Sequence, residues 1–134
     1  MMLNVGPDAR GNIPEESRQV LMQIGEWMKK NSDSIYGCSI SEFDKPEWGR
    51  YTQNGNIVYA HVFENSLGAL PLYGIPPEKV GSVVFQATGA AVPDGKAWNT
   101  AMFTDTAFVA LGENAVGTFP LPDRTDTVLK IQLK

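Results

Sequence analysis

Along the first third of the chain, apolar residues recur every three or four positions: Val20, Leu21, Ile24, Trp27 and Met28. That spacing gathers them on one side of an amphipathic helix. Asn12 is expected to cap it, with Glu15 three residues on as in a capping box and Pro14 in the first turn. Lys29 and Lys30 fall in the last turn, where positive charge suits the helix dipole, and Asn31 is placed to close it. Ahead of the helix, Leu3-Asn4-Val5 reads as a short strand ended by Gly6-Pro7.

Beyond the helix the period changes from 3.6 to 2. Ile35 to Ile40 reads as a strand, and Ser41 to Gln53 as a polar connection whose end, Trp48 to Thr52, pairs with Ile57 to Phe63 across Asn54-Gly55. Leu70 to Tyr73 is an expected edge strand because it contains Pro71. Val80 to Thr88 and Thr106 to Leu111 are further strands. Ala91-Val92 is a short one, and Ala97-Trp98-Asn99 is ambiguous. Gly112 to Asp126 is rich in turn residues. Thr127 to Leu133 alternates cleanly, with Leu129, Ile131 and Leu133 on one face. The expected fold is mainly β: an antiparallel β-sandwich of about seven to eight short strands preceded by one amphipathic α-helix.

Composition narrows the classes of function. The chain has 134 residues, 43% hydrophobic and 19% charged, enough for a core of its own. Net charge is −4 and no basic cluster stands out, which argues against nucleic-acid binding. No apolar run approaches the roughly 18 residues of a membrane span, and Met1-Met2-Leu3 is too short for a leader. Cys38 is the only cysteine, so no internal disulfide forms, and secreted and cytosolic settings are equally allowed.

A specific resemblance is carried by Leu3-Asn4-Val5-Gly6-Pro7, Gly11-x-Ile13, Ile24-Gly25-Glu26-Trp27, Asn31 and Ile35-Tyr36-Gly37. These runs resemble a signature near the end of α-L-fucosidases of glycoside hydrolase family 29. The likeness continues more loosely through Trp48-Gly49, Tyr59-Ala60-His61-Val62 and Thr127-Val128-Leu129-Lys130. It departs at Ser32-Asp33-Ser34 and Cys38, where the family reads Gly-Glu-Ala and Thr. The resemblance implies that residues 1–31 are a remnant of the last strand and helix of a catalytic (β/α)₈-like barrel, and residues 35–134 a C-terminal β-sandwich domain. A whole barrel takes about 250 residues, so the chain is expected to be a C-terminal piece of a longer enzyme.

The candidate chemistry follows from that placement. The family's nucleophile and acid/base carboxylates lie upstream, so no residue here is expected to be catalytic. The loop Pro7 to Asn12 would follow the carboxyl end of the last barrel strand, the face on which barrel active sites lie. Asn4, Asp8 and Arg10 are therefore candidate sugar contacts. Trp48 and Trp98, among the aromatics with Tyr51, Tyr59 and Tyr73, are candidate stacking platforms, set against the commoner use of such rings at a core or rim. His61, the only histidine, has no partner at metal-ligand spacing and reads as a hydrogen-bonded strand residue. Cys38 reads as a small strand residue, and Met22 and Met28 as gap fillers. No metal or cofactor is expected.

The implied function is that of a C-terminal accessory or structural domain of a retaining α-L-fucosidase, not catalytic by itself. The other reading is an independent carbohydrate-binding module. The implied partners are the parent's catalytic barrel and a fucosylated glycan, with no nucleic acid and no membrane; where the barrel is missing, either the helix folds onto the sandwich through Ile24, Trp27 and Met28 or the chain self-associates through the N-terminal helix and strand edge.

Overall fold

The computed structural model describes residues 3–96, 100–112 and 120–134. It divides into two compact units, one ending at Ser32 and the other starting at Asp33. The Ala97-Trp98-Asn99 stretch, and with it the candidate Trp98, lies outside the described residues, as does part of the turn-rich stretch after Gly112.

The first unit is a loop followed by helix α1, Glu15–Asn31. Leu3-Asn4-Val5 forms no strand. A strand is held by a neighbour's backbone groups, and no segment pairs with this one among the described residues. The expected cap is also different. Pro14 occupies the N-cap position without a side-chain cap bond, because Asn12 is engaged in the preceding loop, where its backbone N–H donates to Asp8 Oδ1 at 2.9 Å. Glu15 turns instead to Arg18 one turn on, at 2.8 Å. At the other end, Asn31 is buried and its amide donates to the Trp27 carbonyl at 3.1 Å. The helix closes without a left-handed residue, since the Ser32 N–H, in a right-handed conformation, donates to the Met28 carbonyl.

The second unit is the sandwich. Its strands are β1 (Ser39–Ile40), β2 (Gly49–Asn54), β3 (Ile57–Val62), β4 (Leu70–Leu72), β5 (Val80–Phe85), β6 (Ala107–Val109) and β7 (Thr127–Leu133). Five form one antiparallel sheet in the order β1-β2-β3-β7-β5, and β4 pairs with β6 in a second. β1 is shorter than the pattern suggested because Ile35 to Gly37 turn, with Gly37 at φ 75°. Cys38 sits just past that turn rather than in a strand, its thiol donating to the Asp33 carbonyl at 3.2 Å.

The β2–β3 hairpin forms one residue later than expected. Asn54 pairs with Ile57, so Gly55 and Asn56 are the loop, and only Gly55 has a positive φ, 59°. Glycine at the first loop position is the requirement of a type II′ turn; the Asn-Gly pair instead suggests a type I′ turn, with both loop residues at positive φ. Where the hairpin opens, Gly49 is obligatory for a different reason. A β-carbon there would lie 1.8 Å from the His61 carbonyl oxygen.

The core lies between the sheets. Val58, Ala60 and Val62 of β3, Leu129 and Ile131 of β7, Leu70 and Leu72 of β4 and Val109 of β6 meet there, all buried. The other face of the large sheet is covered too, since Tyr59, His61 and Val128 are buried on it. The start of the unit reaches across that face: Ser34 accepts a hydrogen bond from Thr52 Oγ1 at 2.6 Å, and Asp33 one from Gln86 at 3.3 Å. Strand β3 therefore reads as a near-continuous apolar run, as strands buried on both faces do, whereas β7 keeps its alternation.

Candidate functional site

The loop before α1 holds three of the candidate residues. Its conformation follows from Asp8, whose Oδ1 accepts the backbone N–H groups of Arg10 (2.8 Å) and Asn12 (2.9 Å). The backbone closes on itself through Asp8 N–H to the Asn12 carbonyl and Gly11 N–H to the Asp8 carbonyl. These donors, Asn12 first and Arg10 next, hold the Asp8 carboxyl below its usual range. One oxygen of Asp8 is thus committed to the loop. Arg10 is exposed. Asn4 lines an open depression with Leu3, Val5, Glu16, Ser17, Val20, Leu21 and Ile24. No hydrogen bond joins Asn4 to Asp8 or Arg10 among the described residues, so the three are neighbours in the chain rather than an assembled site.

Trp48 is in the core. Only 7% of it is exposed, it meets Tyr51 edge-on with ring centroids 5.6 Å apart, and its indole N–H donates to the Pro71 carbonyl at 2.9 Å. A ring enclosed in this way offers no face to a sugar. Tyr51 and Tyr59 are buried as well, whereas Tyr73 is exposed. Burial pushes the Tyr51 phenol well above the usual tyrosine range, with Tyr73 adding to the effect.

The arrangement closest to catalytic geometry is one whose partner the sequence did not reveal. Thr52 Oγ1 lies 3.4 Å from His61 Nε2, and His61 Nδ1 lies 2.8 Å from Asp126 Oδ2. Hydroxyl, imidazole and carboxylate stand in the order of a nucleophile relay. Two features make it a clamp instead. The Thr52 hydroxyl has one proton and donates it to the Ser34 carbonyl at 2.6 Å, so it is not delivered to the imidazole. The His61 and Asp126 side chains are only 5% and 14% exposed, which leaves no approach for a substrate. Asp126 is 65 residues from His61 in sequence, and no spacing rule connects them. The only hint was an isolated histidine in a strand of large apolar residues, which needs a polar partner when buried.

Glu15 and Glu26 make exposed ion pairs with Arg18 and Lys29 along α1. Among the described residues, no three or more His, Cys, Asp or Glu side chains come together to hold a metal ion. No helix of the described residues is long and apolar enough to cross a membrane.

Comparison with known proteins agrees with the N-terminal signature. Residues 1–33 match the family model described as alpha-L-fucosidase. An α-L-fucosidase of Dictyostelium discoideum is 45% identical over 67 residues, which is 47% of this chain and 14% of that protein. The structure of α-L-fucosidase isoenzyme 1 from Paenibacillus thiaminolyticus superposes with a TM-score of 0.88 at 42% identity, covering 100% of this chain and 30% of that one. A family 29 α-L-fucosidase from Bacteroides thetaiotaomicron shares the fold at 23% identity, with a TM-score of 0.77 over 98% of this chain and 27% of that one. The chain thus spans less than a third of the length of these relatives. By sequence in its first 33 residues, and by fold along its whole length, the chain is similar to part of an α-L-fucosidase of glycoside hydrolase family 29.

Proposed function

We propose that the chain is the C-terminal accessory part of a retaining α-L-fucosidase, supporting the catalytic barrel and inactive without it. One observation carries this reading: all of the chain matches the Paenibacillus fucosidase at 42% identity, yet it accounts for only 30% of that protein. The catalytic barrel, about 250 residues in such folds, would come from the rest of the parent. Residues 1–31 would be the barrel's last strand and helix, and residues 35–134 the sandwich. A retaining glycosidase works with two carboxyl groups about 5–5.5 Å apart. Here Asp8 is engaged in its loop, Glu15 and Glu26 in exposed pairs along α1, and Asp126 in the His61 clamp. The unpaired Leu3–Val5 segment and the open depression beside α1 fit a barrel strand and helix waiting for neighbours. The parent would hydrolyse terminal α-L-fucose. Within it, the Pro7–Asn12 loop would stand at the sugar-binding face, with Asn4, Asp8 and Arg10 near the substrate.

The purified chain is expected to give no turnover of a nitrophenyl α-L-fucoside, and measurable turnover overturns the proposal. The reading frame upstream of Met1 supplies the second check, since a barrel's length of coding sequence is expected there. A saturable change in tryptophan fluorescence on titration with fucose or fucosylated glycans would favour a carbohydrate-binding module instead.

A further inference from the structure

The tip of the β2–β3 hairpin carries the one Asn-Gly dipeptide in the chain, Asn54-Gly55. Three features favour reaction there. Asn54, Gly55 and Asn56 are all exposed. Gly55 has nothing within 4 Å of the place a β-carbon would occupy, so no side chain crowds the nitrogen that would attack. The Asn54 side-chain amide makes no hydrogen bond among the described residues, and its Nδ2 lies 3.5 Å from where a Gly37 β-carbon would sit. By contrast, Asn31 is buried and bonded to the Trp27 carbonyl, and Asn65 Oδ1 accepts the Leu121 N–H. Asn12 and Asn56 precede Ile13 and Ile57, whose branched side chains crowd the following nitrogen.

We propose that Asn54 is a site of spontaneous deamidation in the folded protein. The Gly55 amide nitrogen gives its proton to hydroxide and attacks Asn54 Cγ. The N–Cγ bond forms, the Cγ–Nδ2 bond breaks, and ammonia leaves from a five-membered succinimide. Water then opens the ring at either carbonyl. One opening yields aspartate. The other yields isoaspartate, with the main chain routed through the β-carbon. Nothing is oxidised or reduced, and the chain gains one negative charge. Closing the ring requires Asn54 to swing out of its extended conformation. The tip allows this because Asn54↔Ile57 is the last pair of the ladder.

Isoaspartate inserts an extra backbone carbon at the place where the hairpin sets its register. β2 pairs with β3 on one side and β1 on the other, so both ladders feel the insertion. The contact from Gln53 Nε2 to the Gly55 carbonyl, at 2.9 Å, would be displaced with it.

The test is to incubate the full chain in mildly alkaline buffer and map its peptides by mass over time. A gain of one dalton is expected at position 54, together with isoaspartate detectable by enzymatic methyl transfer. The rate there should exceed that at Asn12 and Asn56 by at least about tenfold, given the branched residues that follow those two. Asn54→Gln, which can close only a six-membered ring, should abolish the change while keeping the native circular dichroism spectrum. If position 54 stays intact in the folded chain while a peptide spanning Gln53 to Val58 converts, the hairpin protects it and the proposal fails. Equal rates at positions 54, 12 and 56 would overturn it as well.

Discussion

The two units differ in what identifies them and in what holds them together. The first, through Ser32, carries the signature that matches a family model, yet it contributes nothing to the buried core cluster. Leu3, Ile13, Val20 and Met22 are each about half exposed, and in α1 only Asn31 is buried. The second unit bears weaker signature matches but has, among the described residues, fifteen buried core residues and a five-stranded sheet. The most recognisable stretch is thus the one least able to stabilise itself. A signature records what a segment does for its neighbours, whereas a core records what it does for itself.

Substitutions sharpen this contrast. The largest effect is expected from Gly49→Ala, whose β-carbon would lie 1.8 Å from the His61 carbonyl oxygen where β2 meets β3. Destabilisation beyond about 4 kcal/mol, or failure to fold, should appear in urea unfolding. Leu129→Ala empties a fully buried position in the sheet and should cost about 2–5 kcal/mol by the same measurement. Asp126→Ala removes the partner of a buried imidazole and should cost about 1–3 kcal/mol.

Tyr51 gives a test against pH. Burial raises its folded-state pKa, so the neutral phenol is favoured in the sandwich. Its contribution is complete below the unfolded tyrosine value of about 10 and is lost as pH rises above that toward the folded value. Alkaline unfolding followed by phenolate absorbance should show this fall, and Tyr51→Phe should remove it.

The smallest effects belong to the first unit. Val20→Ala should change stability by less than about 0.5 kcal/mol, as at other exposed positions. If it costs as much as Leu129→Ala, the contrast between the units collapses. Asp8 has its pKa lowered, so its hold on the loop is present above the ordinary aspartate value and is lost as pH falls through the folded one. Lower protection factors at Arg10 and Asn12 in acid, or in Asp8→Ala, would report that loss.

Much of the fold was legible where local chemistry sets it alone. β7 runs over the residues its alternation predicts, and Pro71 lies in an edge strand. Errors arose where a competing partner decided the outcome. Asn12 was a plausible cap until Asp8 claimed its backbone. Asn54-Gly55 marked the turn, but the pairing of Asn54 with Ile57 moved the loop by one residue. Ile35-Tyr36 had strand composition, and Gly37 turned the chain first. Trp48 as a sugar platform and Trp48 as core filler look identical in sequence, because the difference lies in what stands opposite the ring. The same holds for His61, whose partner arrives from the far end of the sandwich.

The order of strands also sets a timetable. β7 lies between β3 and β5, although it is made after both. At roughly 5–20 residues per second of synthesis, the roughly 60 residues between Val62 and Thr127 keep one side of β3 unpaired for several seconds. During that interval the nascent chain presents Val58 to Val62 as an open, apolar edge.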